Sequence, residues 1–541
     1  MKVKDRQFML SVLFAAVVLI QTAAFCYLTS LKKQFFIDEI YSYILSNSYS
    51  ADRIATAGFY DKWVNGEDLL PLAEVQEGER FAYGKTYYNN TLDAHPPFYY
   101  FLLHTVCSFF PNSYSKWLGI GLNLVLFVSS QIMLFLLSKK IFGTSVWAVI
   151  PPVLYGCSLY AVNTAILIRM YMLSTLLTVI LTYLHYEFVF GKERPKRIYP
   201  WFFVTTFLGV FTHYFFALYA FFLAAATCIY LLVNKRFKRL FGYMAVMLGA
   251  VGLVFLVFPA GIKQITGSDT NNISGEVTRS IKAVSELPGH LKEYIRQIIE
   301  ALFAGLLVYR KAVLLIICGS GAAAVLLGVI NRKKNKWDGS RLKEPVIISL
   351  VLGGLLLFTL VLTAFLSGDF TFDRYLYNVI PVGCLFAALL VWCFVFLIRT
   401  DRNVIALGMI CVACISLYTL VTGKYGAYLY PNSDFEQVIE DCRTRPVIMI
   451  SEGNAFPTGN YEILSRCEHV YMSRDDDFDI KNVLSGVDTS GGICVMVFTD
   501  DYWGVKFDGE KILTEIADVS DKIDSYYQYG DCTLGEIYFA D

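Results

Sequence analysis

FMLSVLFAAVVLIQTAAFCYLTSL, residues 8–31, indicates the class of protein to which this chain belongs. The run has no charged residue, and at about 1.5 Å per residue it is long enough to cross the roughly 30 Å hydrocarbon core of a membrane. Lys2, Lys4 and Arg6 precede it, as they would in a signal peptide, but the run is too long for one and lacks a clear small-residue cleavage site. We therefore predict a retained first membrane span.

Similar apolar runs recur along the chain of 541 residues, of which 56% are hydrophobic and only 17% charged. Soluble domains average about 25% charged residues. The predicted fold class is a mainly α polytopic membrane protein with about 11 transmembrane helices. The predicted spans are 8–30, 115–138, 145–163, 168–188, 200–212, 214–233, 240–260, 305–330, 345–366, 374–398 and 403–421. The fifth and sixth share one apolar stretch, which we interpret as two short helices that turn at His213.

The basic clusters between these runs predict the orientation of the chain. They are the N-terminus, Lys139-Lys140, Lys192 to Arg197, Lys235 to Arg239, Arg332 to Lys343, and Arg399 with Arg402. With eleven spans, all of them fall on the cytoplasmic side, as the Lys/Arg bias of membrane proteins requires. This holds only if Pro97–Phe110 does not cross. That segment covers about 20 Å, so we predict a helix that lies at the outer interface.

With this orientation, a long first loop at 31–114, a turn at 164–171 and a loop at 261–304 lie on the outer face. The tail from residue 422 lies there too. We therefore predict a multi-pass cell-membrane protein in which residues 1–421 form the transmembrane catalytic domain. Residues 422–541 would form an extracytoplasmic α/β domain.

Short β-branched runs in this tail predict strands, namely RPVIMISEG (445–453), HVYMS (469–473) and GGICVMVFTDD (491–501). The stretch TEIADVSDKI (514–523) predicts a helix. Four cysteines lie in the tail: Cys442, Cys467, Cys494 and Cys532. Outside the cell they could pair, and buried thiols are equally compatible with the sequence.

Asp38 and Glu39 form an acidic pair directly after the first span, beside Phe35, Phe36 and Ile37. Partial desolvation there would raise a carboxyl pKa into the range of a useful general base. Alternatively, the two acids only face the dipole at a helix N-terminus.

Asp93 and His95 stand before two prolines, which stiffen the backbone that presents both side chains. Each could equally belong to an ordinary turn before a helix.

Charged and polar groups also interrupt or border later spans: Arg169 in AILIRMYML, His213 in GVFTHYFF, and Asp373-Arg374-Tyr375 in FTFDRYLYNVIP. A lone Arg in an apolar run usually faces a cavity, a partner or the interface. The alternatives are a snorkelling Arg169, a hydrogen-bonded core His213, and an Asp373–Arg374 ion pair that anchors a helix end.

Taken together, these separate segments place acids, histidines and arginines on one membrane face. A carboxylate there could deprotonate an acceptor hydroxyl, and Arg or His could neutralise a departing lipid-linked phosphate. The interface would bring a polyprenyl donor and a water-side acceptor together.

The order of these motifs resembles that of family 39 glycosyltransferases of the GT-C superfamily. An Asp-Glu pair follows the first span, and HPP, R-M-Y, T-H-Y and D-R-Y come after it in that order. This family includes protein O-mannosyltransferases and is related to the aminoarabinose transferase that modifies lipid A. The loop at 261–304 is too short for the β-trefoil insert of the eukaryotic mannosyltransferases, which favours a bacterial relative.

The resemblance implies an inverting transfer of a sugar from a polyprenyl-phosphate donor on the outer face. It implies Asp38 as the general base with Glu39 assisting, and a donor-phosphate site made of His95, Arg169 and Arg374. The implied substrate pocket comprises Asp93, Tyr171, His213, Tyr214, Asp373 and Tyr375.

The acceptor would be a glycan, a glycolipid or an exported protein, and nucleic acid is not an expected partner. No cofactor is required, although a divalent metal near Asp38, Asp93 or His95 is compatible with the spacing. The alternative function is a lipid-linked sugar flippase, which should have charged groups at the membrane midplane and internal repeats.

Overall fold

The structure is a computed structural model that describes residues 3–48, 58–191, 195–266, 310–331, 342–367, 373–431, 434–451, 455–474, 479–498, 523–528 and 535–540, with the single positions 289, 292, 296 and 514. The α-helices are α1 (Val3–Leu31), α2 (Ile37–Asn47), α3 (Tyr83–Thr91), α4 (Phe98–Ser108), α5 (Lys116–Phe142), α6 (Ile150–Gly156), α7 (Leu159–Ile166), α8 (Tyr171–Phe190), α9 (Pro195–Val210), α10 (Tyr214–Val233), α11 (Phe237–Val257), α12 (Ala260–Thr266), α13 (Arg310–Asn331), α14 (Lys343–Ser367), α15 (Ile380–Leu397), α16 (Arg402–Thr422), α17 (Asp434–Arg443), α18 (Ala455–Gly459), α19 (Tyr461–Leu464) and α20 (Ile480–Val483). Turns of 3₁₀-helix lie at Gly66–Leu72, Glu77–Glu79, Val146–Val149 and Asp373–Val379. The strands are β1 (Trp63–Val64), β2 (Val447–Ile450), β3 (Val470–Ser473), β4 (Ile493–Phe498), β5 (Ile523–Gln528) and β6 (Gly535–Ala540).

Within the described residues, nine helices are long and apolar enough to cross a membrane. They are α1, α5, α8, α10, α11, α13, α14, α15 and α16. A pair of segments, Val146–Gly156 and Leu159–Ile166, makes a tenth candidate that bends by 59°. Helices suit this setting because every backbone group inside them is hydrogen-bonded without water.

The prediction of about eleven spans exceeds this count by one. The predicted span at 200–212 falls in α9, which has 16 residues and covers about 24 Å. The chain does break at His213, the residue before α10, as the polar residue in the apolar stretch predicted.

Helix α4 is the segment that the prolines predicted not to cross. Its 11 residues cover about 17 Å, and it is not among the candidate spans. Tyr99, Tyr100 and Leu103 are fully buried against neighbouring elements, whereas Phe109 and Phe110 beyond its end are mostly exposed. Exposed aromatic rings at such a helix end suit the boundary between water and lipid.

The strands form one sheet in the order β1-β3-β2-β4-β6-β5. Strand β2 lies parallel to β3 and β4, while β6 runs antiparallel to β4 and β5. The three β-branched runs that predicted strands correspond to β2, β3 and β4. The predicted helix at 514–523 lies almost wholly outside the described residues.

The first loop and the tail are joined in this sheet, because β1 comes from the loop and pairs antiparallel with β3. One sheet face, with Val447, Met449 and Val470, belongs to the same hydrophobic core as the helices. Ile448 and Val495 on the other face belong to a separate cluster. One hydrophobic core therefore continues from the helices into this face of the sheet.

Three helices run between the same two ends of the bundle. Asp38, Arg169 and Arg374 lie just beyond the ends of α1, α8 and α15, and both arginines contact Asp38. The opposite ends of these helices contribute Arg6, Tyr186 and Trp392 to a shared polar cavity. We call the first the site end and the second the basic end.

Candidate functional site

Asp38 is the centre of the site end. Its Oδ2 atom accepts a 2.7 Å hydrogen bond from Nη1 of Arg374 and lies 3.9 Å from Nε of Arg169. Its other oxygen, Oδ1, has no hydrogen-bond partner among the described residues. Two guanidinium groups thus hold Oδ2 of the carboxylate, and the Asp38 side chain remains 20% exposed.

Arg169 lies in a buried loop between α7 and α8. Its Nη1 donates to the Tyr100 hydroxyl at 3.1 Å, and the side chain is only 6% exposed. The loop is fixed through Leu167, whose carbonyl accepts a 2.6 Å bond from the amide of Asn123. The alternative of an arginine that snorkels to lipid headgroups is therefore wrong for Arg169.

The pKa of Asp38 shifts in the direction opposite to our expectation. Burial acts to raise the pKa, but the charges of Arg169, Arg374 and His95 outweigh burial and the repulsion from Asp93, so the pKa of Asp38 is lowered. Partial desolvation alone was the wrong criterion, because the sequence does not show which cations will surround the acid. Asp38 is an ionised carboxylate at neutral pH.

Glu39 has a different environment from Asp38 although it is the next residue. It is fully buried and forms a 2.8 Å ion pair with Lys32. It also accepts hydrogen bonds from the backbone N–H groups of Ile168, at 2.9 Å, and Phe36, at 2.6 Å. Burial raises the pKa of Glu39 despite these donors.

These contacts do not fit the predicted catalytic role of Glu39. Both of its oxygens are occupied by protein donors, which hold the first turn of α2 against the loop of Arg169. Glu39 is therefore a positioning residue that places the Asp38 and Arg169 segments side by side.

A group of aromatic and imidazole rings lies beside the charged groups. The Asp93 carboxylate is 2.9 Å from Nδ1 of His95, and the His95 ring faces His213 with the centroids 6.1 Å apart. His213 in turn contacts Tyr171 at 5.4 Å and Tyr375 at 6.3 Å. Burial and the nearby cationic groups hold the pKa of His213 well below its usual range, so its ring is neutral.

The geometry therefore brings together eight of the eleven residues that the sequence singled out: Asp38, Asp93, His95, Arg169, Tyr171, His213, Arg374 and Tyr375. Glu39 is not part of this group, but its contacts with Lys32, Ile168 and Phe36 hold the segments that carry Asp38 and Arg169.

Tyr214 does not line the same space. Its hydroxyl donates a 2.6 Å bond to Gln264, and the Gln264 amide donates to the carbonyls of Asn90 and Asp93. Tyr214 thus steadies the loop that presents Asp93. Asp373 begins the turn that contains Arg374, and its side chain lies outside the described residues.

Two charged residues that support the site were missed by the sequence analysis. Lys32 is 1% exposed and contacts both Glu39 and the Tyr428 carbonyl. The position of Lys32 directly after the first apolar run could have indicated a buried charged residue near the site. Glu462 accepts a 2.9 Å bond from the backbone N–H of Phe35, across 427 positions of sequence, and nothing local in YEIL indicated this.

The other expectations concern metal and disulfides. No group of three or more His, Cys, Asp or Glu side chains suited to a metal ion occurs in the described part of the chain. Cys442, Cys467 and Cys494 are buried free thiols, with the sulfurs of Cys442 and Cys494 3.4 Å apart. Cys532 is outside the described residues.

The fold and this site define a polytopic membrane protein with buried ion pairs and a ring cluster at one end of its helices. No family model matches the chain, and no curated protein matches it. Among solved structures it is similar to ArnT from Cupriavidus metallidurans in the apo state, at 10% identity and a TM-score of 0.40. It is also similar to ArnT from the same organism bound to undecaprenyl phosphate, at 12% identity and a TM-score of 0.40. Each alignment covers 98% of this chain and 97% of the other. A likeness this distant assigns no residue roles, so the site has to be judged by its own geometry.

Proposed function

We propose that this protein is an integral membrane glycosyltransferase of the GT-C type that moves a sugar from a polyprenyl-phosphate donor to an acceptor hydroxyl. The observation that carries the proposal is the Asp38 carboxylate, whose Oδ2 is held by Arg374 and Arg169 while Oδ1 has no hydrogen-bond partner among the described residues. The order of sequence motifs that resembles family 39 supports the same assignment. The acceptor is a glycan, a glycolipid or an exported protein.

The site end is proposed to be extracytoplasmic. The opposite end holds Lys139, Lys140, Arg236, Arg239 and Arg402 at helix termini or in short turns. Membrane proteins concentrate Lys and Arg in cytoplasmic loops. The donor would therefore be used after its sugar has reached the outer leaflet.

In the proposed reaction, the acceptor oxygen attacks the anomeric carbon while the bond from that carbon to the phosphate oxygen breaks. The acceptor proton passes to Oδ1 of Asp38, and the electron pair of the broken bond leaves on the polyprenyl phosphate. Arg169, Arg374 and His95 would neutralise the charge that develops there. No metal is needed for this balance.

We propose that the two arginines make the basicity of Asp38 depend on whether the donor is bound. Without donor they bind the carboxylate and lower its pKa. The anionic phosphodiester of the donor, when it competes for Arg169 and Arg374, would weaken both ion pairs, so the pKa of Asp38 would rise when the donor is in place. The base would then be strongest in the complex that needs it.

The ring cluster of Tyr171, His213 and Tyr375 is the proposed sugar-side wall of the pocket. A neutral imidazole and phenol groups offer apolar faces together with hydrogen-bonding edges. Such a surface suits a sugar ring, which is apolar on its faces and polar around its rim.

The test is transfer of labelled sugar from a panel of polyprenyl-phosphate monosaccharides to a crude envelope extract, with purified protein in lipid. We expect transfer by the native protein and a loss of at least about 100-fold in Asp38→Asn, because general-base catalysis typically contributes 10² to 10⁴. Glu468→Gln, at an exposed position of the tail, is the matched control and should keep full activity.

Because the amide in Asp38→Asn leaves two arginines without their carboxylate, size exclusion and thermal unfolding must show that this variant is folded. Native turnover in folded Asp38→Asn would remove Asp38 as the base. If no donor supports transfer and label instead crosses sealed vesicles, the protein is a lipid-linked sugar flippase.

A further inference from the structure

A feature outside the proposed catalytic site lies at the basic end, the end opposite Asp38. A polar cavity of about 880 Å³ opens there between the ends of several helices. Its walls include Arg6, Lys140, Glu344, Trp147, Trp392 and Arg402. Neither the proposed transfer reaction nor the sequence motifs make use of this cavity.

An apolar crevice of about 290 Å³ adjoins the cavity. It lies between α5, α8, α10 and α14 and is lined by side chains such as Leu137, Val189, Leu223 and Val351. Ile141, Tyr186 and Ile348 line both spaces, so the crevice and the cavity meet. The crevice uses the halves of these helices nearest the basic end, and it therefore runs from that end toward the membrane interior.

The lining of the cavity carries one more cationic than anionic side chain. Three cationic side chains, Arg6, Lys140 and Arg402, line it against two carboxylates. Both carboxylates have donors within the protein: Asp401 accepts the N–H groups of Asn403 and Val404, and Glu344 accepts the Tyr186 hydroxyl at 3.0 Å.

Two of the three cations are positioned by neighbouring side chains. The Arg402 guanidinium lies 5.7 Å from the Trp392 ring centroid and 5.2 Å from that of Phe396. Lys140 pairs with Glu187 at 2.9 Å yet stays about half exposed. A polar, cationic pocket joined to an apolar slot is the shape that one amphiphilic anion requires.

We propose that the crevice and cavity together bind one anionic phospholipid of the cytoplasmic leaflet. An acyl chain occupies the crevice between α8, α10 and α14, and the phosphate lies against Arg6, Lys140 and Arg402. Basic pockets between transmembrane helices on the cytoplasmic side are suited to such headgroups. The bound lipid would fill the gap between these helices and hold their ends together.

The experiment is native mass spectrometry of the full-length protein in mild detergent, titrated with phosphatidylglycerol or with phosphatidylcholine of identical chains. We expect one tightly held phosphatidylglycerol and at least fivefold weaker retention of phosphatidylcholine. Arg402→Gln and Arg6→Gln should each weaken phosphatidylglycerol binding about fivefold, the value of one basic residue near an anionic surface. Lys139→Gln is the matched control, because Lys139 is next to a lining residue but does not line the cavity.

A second variant tests the crevice separately. Ala226→Phe adds volume inside it and leaves the three cations unchanged, so phosphatidylglycerol retention should fall. Equal retention of both lipids would mean that the retained lipid is ordinary surrounding lipid, and it would overturn the proposal. Equal losses of phosphatidylglycerol binding in Arg402→Gln and Lys139→Gln would overturn it for the same reason. Preference for polyprenyl phosphate over phosphatidylglycerol would overturn it too. Binding is measured without turnover, so the result is independent of the proposed transferase.

Discussion

At the scale of single residues, neighbouring acids in this protein have unlike roles because their partners differ. Asp38 faces two arginines and remains ionised, whereas Glu39 is enclosed by Lys32 and two backbone N–H groups. The charge of a carboxyl is decided by the balance between burial and the cations around it. The same balance makes Glu462 a group that titrates near neutral pH.

Glu462 provides a prediction about the dependence of stability on pH. Burial raises the pKa of Glu462 to about 7, although the Phe35 N–H, Arg466 and Lys32 act in the other direction and Glu39 adds to the rise. Tyr114, Tyr461 and Lys116 also face it. A raised folded-state pKa contributes stability below the unfolded-state value, and this contribution is lost as pH rises through about 7.

Glu462→Gln should therefore unfold at the same temperature as the native protein at pH 5 and at a higher temperature at pH 8. The expected gain at pH 8 is on the order of 3 kcal/mol, from the shift between about 4.5 and about 7. Thermal unfolding in lipid nanodiscs at both pH values is the measurement, with exposed Glu468→Gln as the control. Equal unfolding temperatures at pH 8 would show that Glu462 stays ionised at no cost.

At the scale of elements, the first turn of α2 is tied to the loop between α7 and α8 by one buried ion pair. Lys32 and Glu39 are at most 1% exposed, and Glu39 reaches the N–H of Ile168. Removing one partner of such a pair leaves an uncompensated buried charge and typically costs about 3 to 5 kcal/mol.

Lys32→Met alone should therefore lower the unfolding temperature strongly. Adding Glu39→Gln to it should restore part of the loss, because the double variant buries no charge while the amide oxygen still accepts a backbone N–H. Thermal unfolding of the native protein, both single variants and the double variant forms the cycle. Additive losses would mean that the two side chains do not interact.

At the scale of the whole molecule, the first loop and the tail form one assembly above the site end. Besides β1 in the sheet, Lys33 and Glu436 form a 2.7 Å ion pair between exposed side chains. The Phe35 N–H and Lys32 both bind residues of the tail. The segment that presents Asp38 is consequently held from the C-terminal side of the chain.

Zero-length carbodiimide coupling provides the test of this docking. We expect a Lys33–Glu436 cross-linked peptide in the native protein, lost in Glu436→Gln and kept in Glu440→Gln, which alters a neighbouring exposed acid. The Lys85–Glu79 ion pair within the loop serves as the internal positive control. If only the Lys85–Glu79 product forms, the tail does not dock on the first loop in the membrane protein.

The sequence by itself determined the class of the protein, most of the spans, three strands of the sheet and eight candidate residues that lie together at the site end. These follow from local properties of the sequence. The length of an apolar run predicts a span, β-branched runs predict strands, and a charged residue in or beside an apolar run indicates a candidate site. Tertiary structure alone decided how differently Asp38 and Glu39 are partnered, why the pKa of Asp38 falls, and where Glu462 and β1 make contact. Those outcomes depend on pairs such as Phe35 with Glu462, 427 positions apart, and electrostatic energy depends on distance in space rather than on separation along the chain.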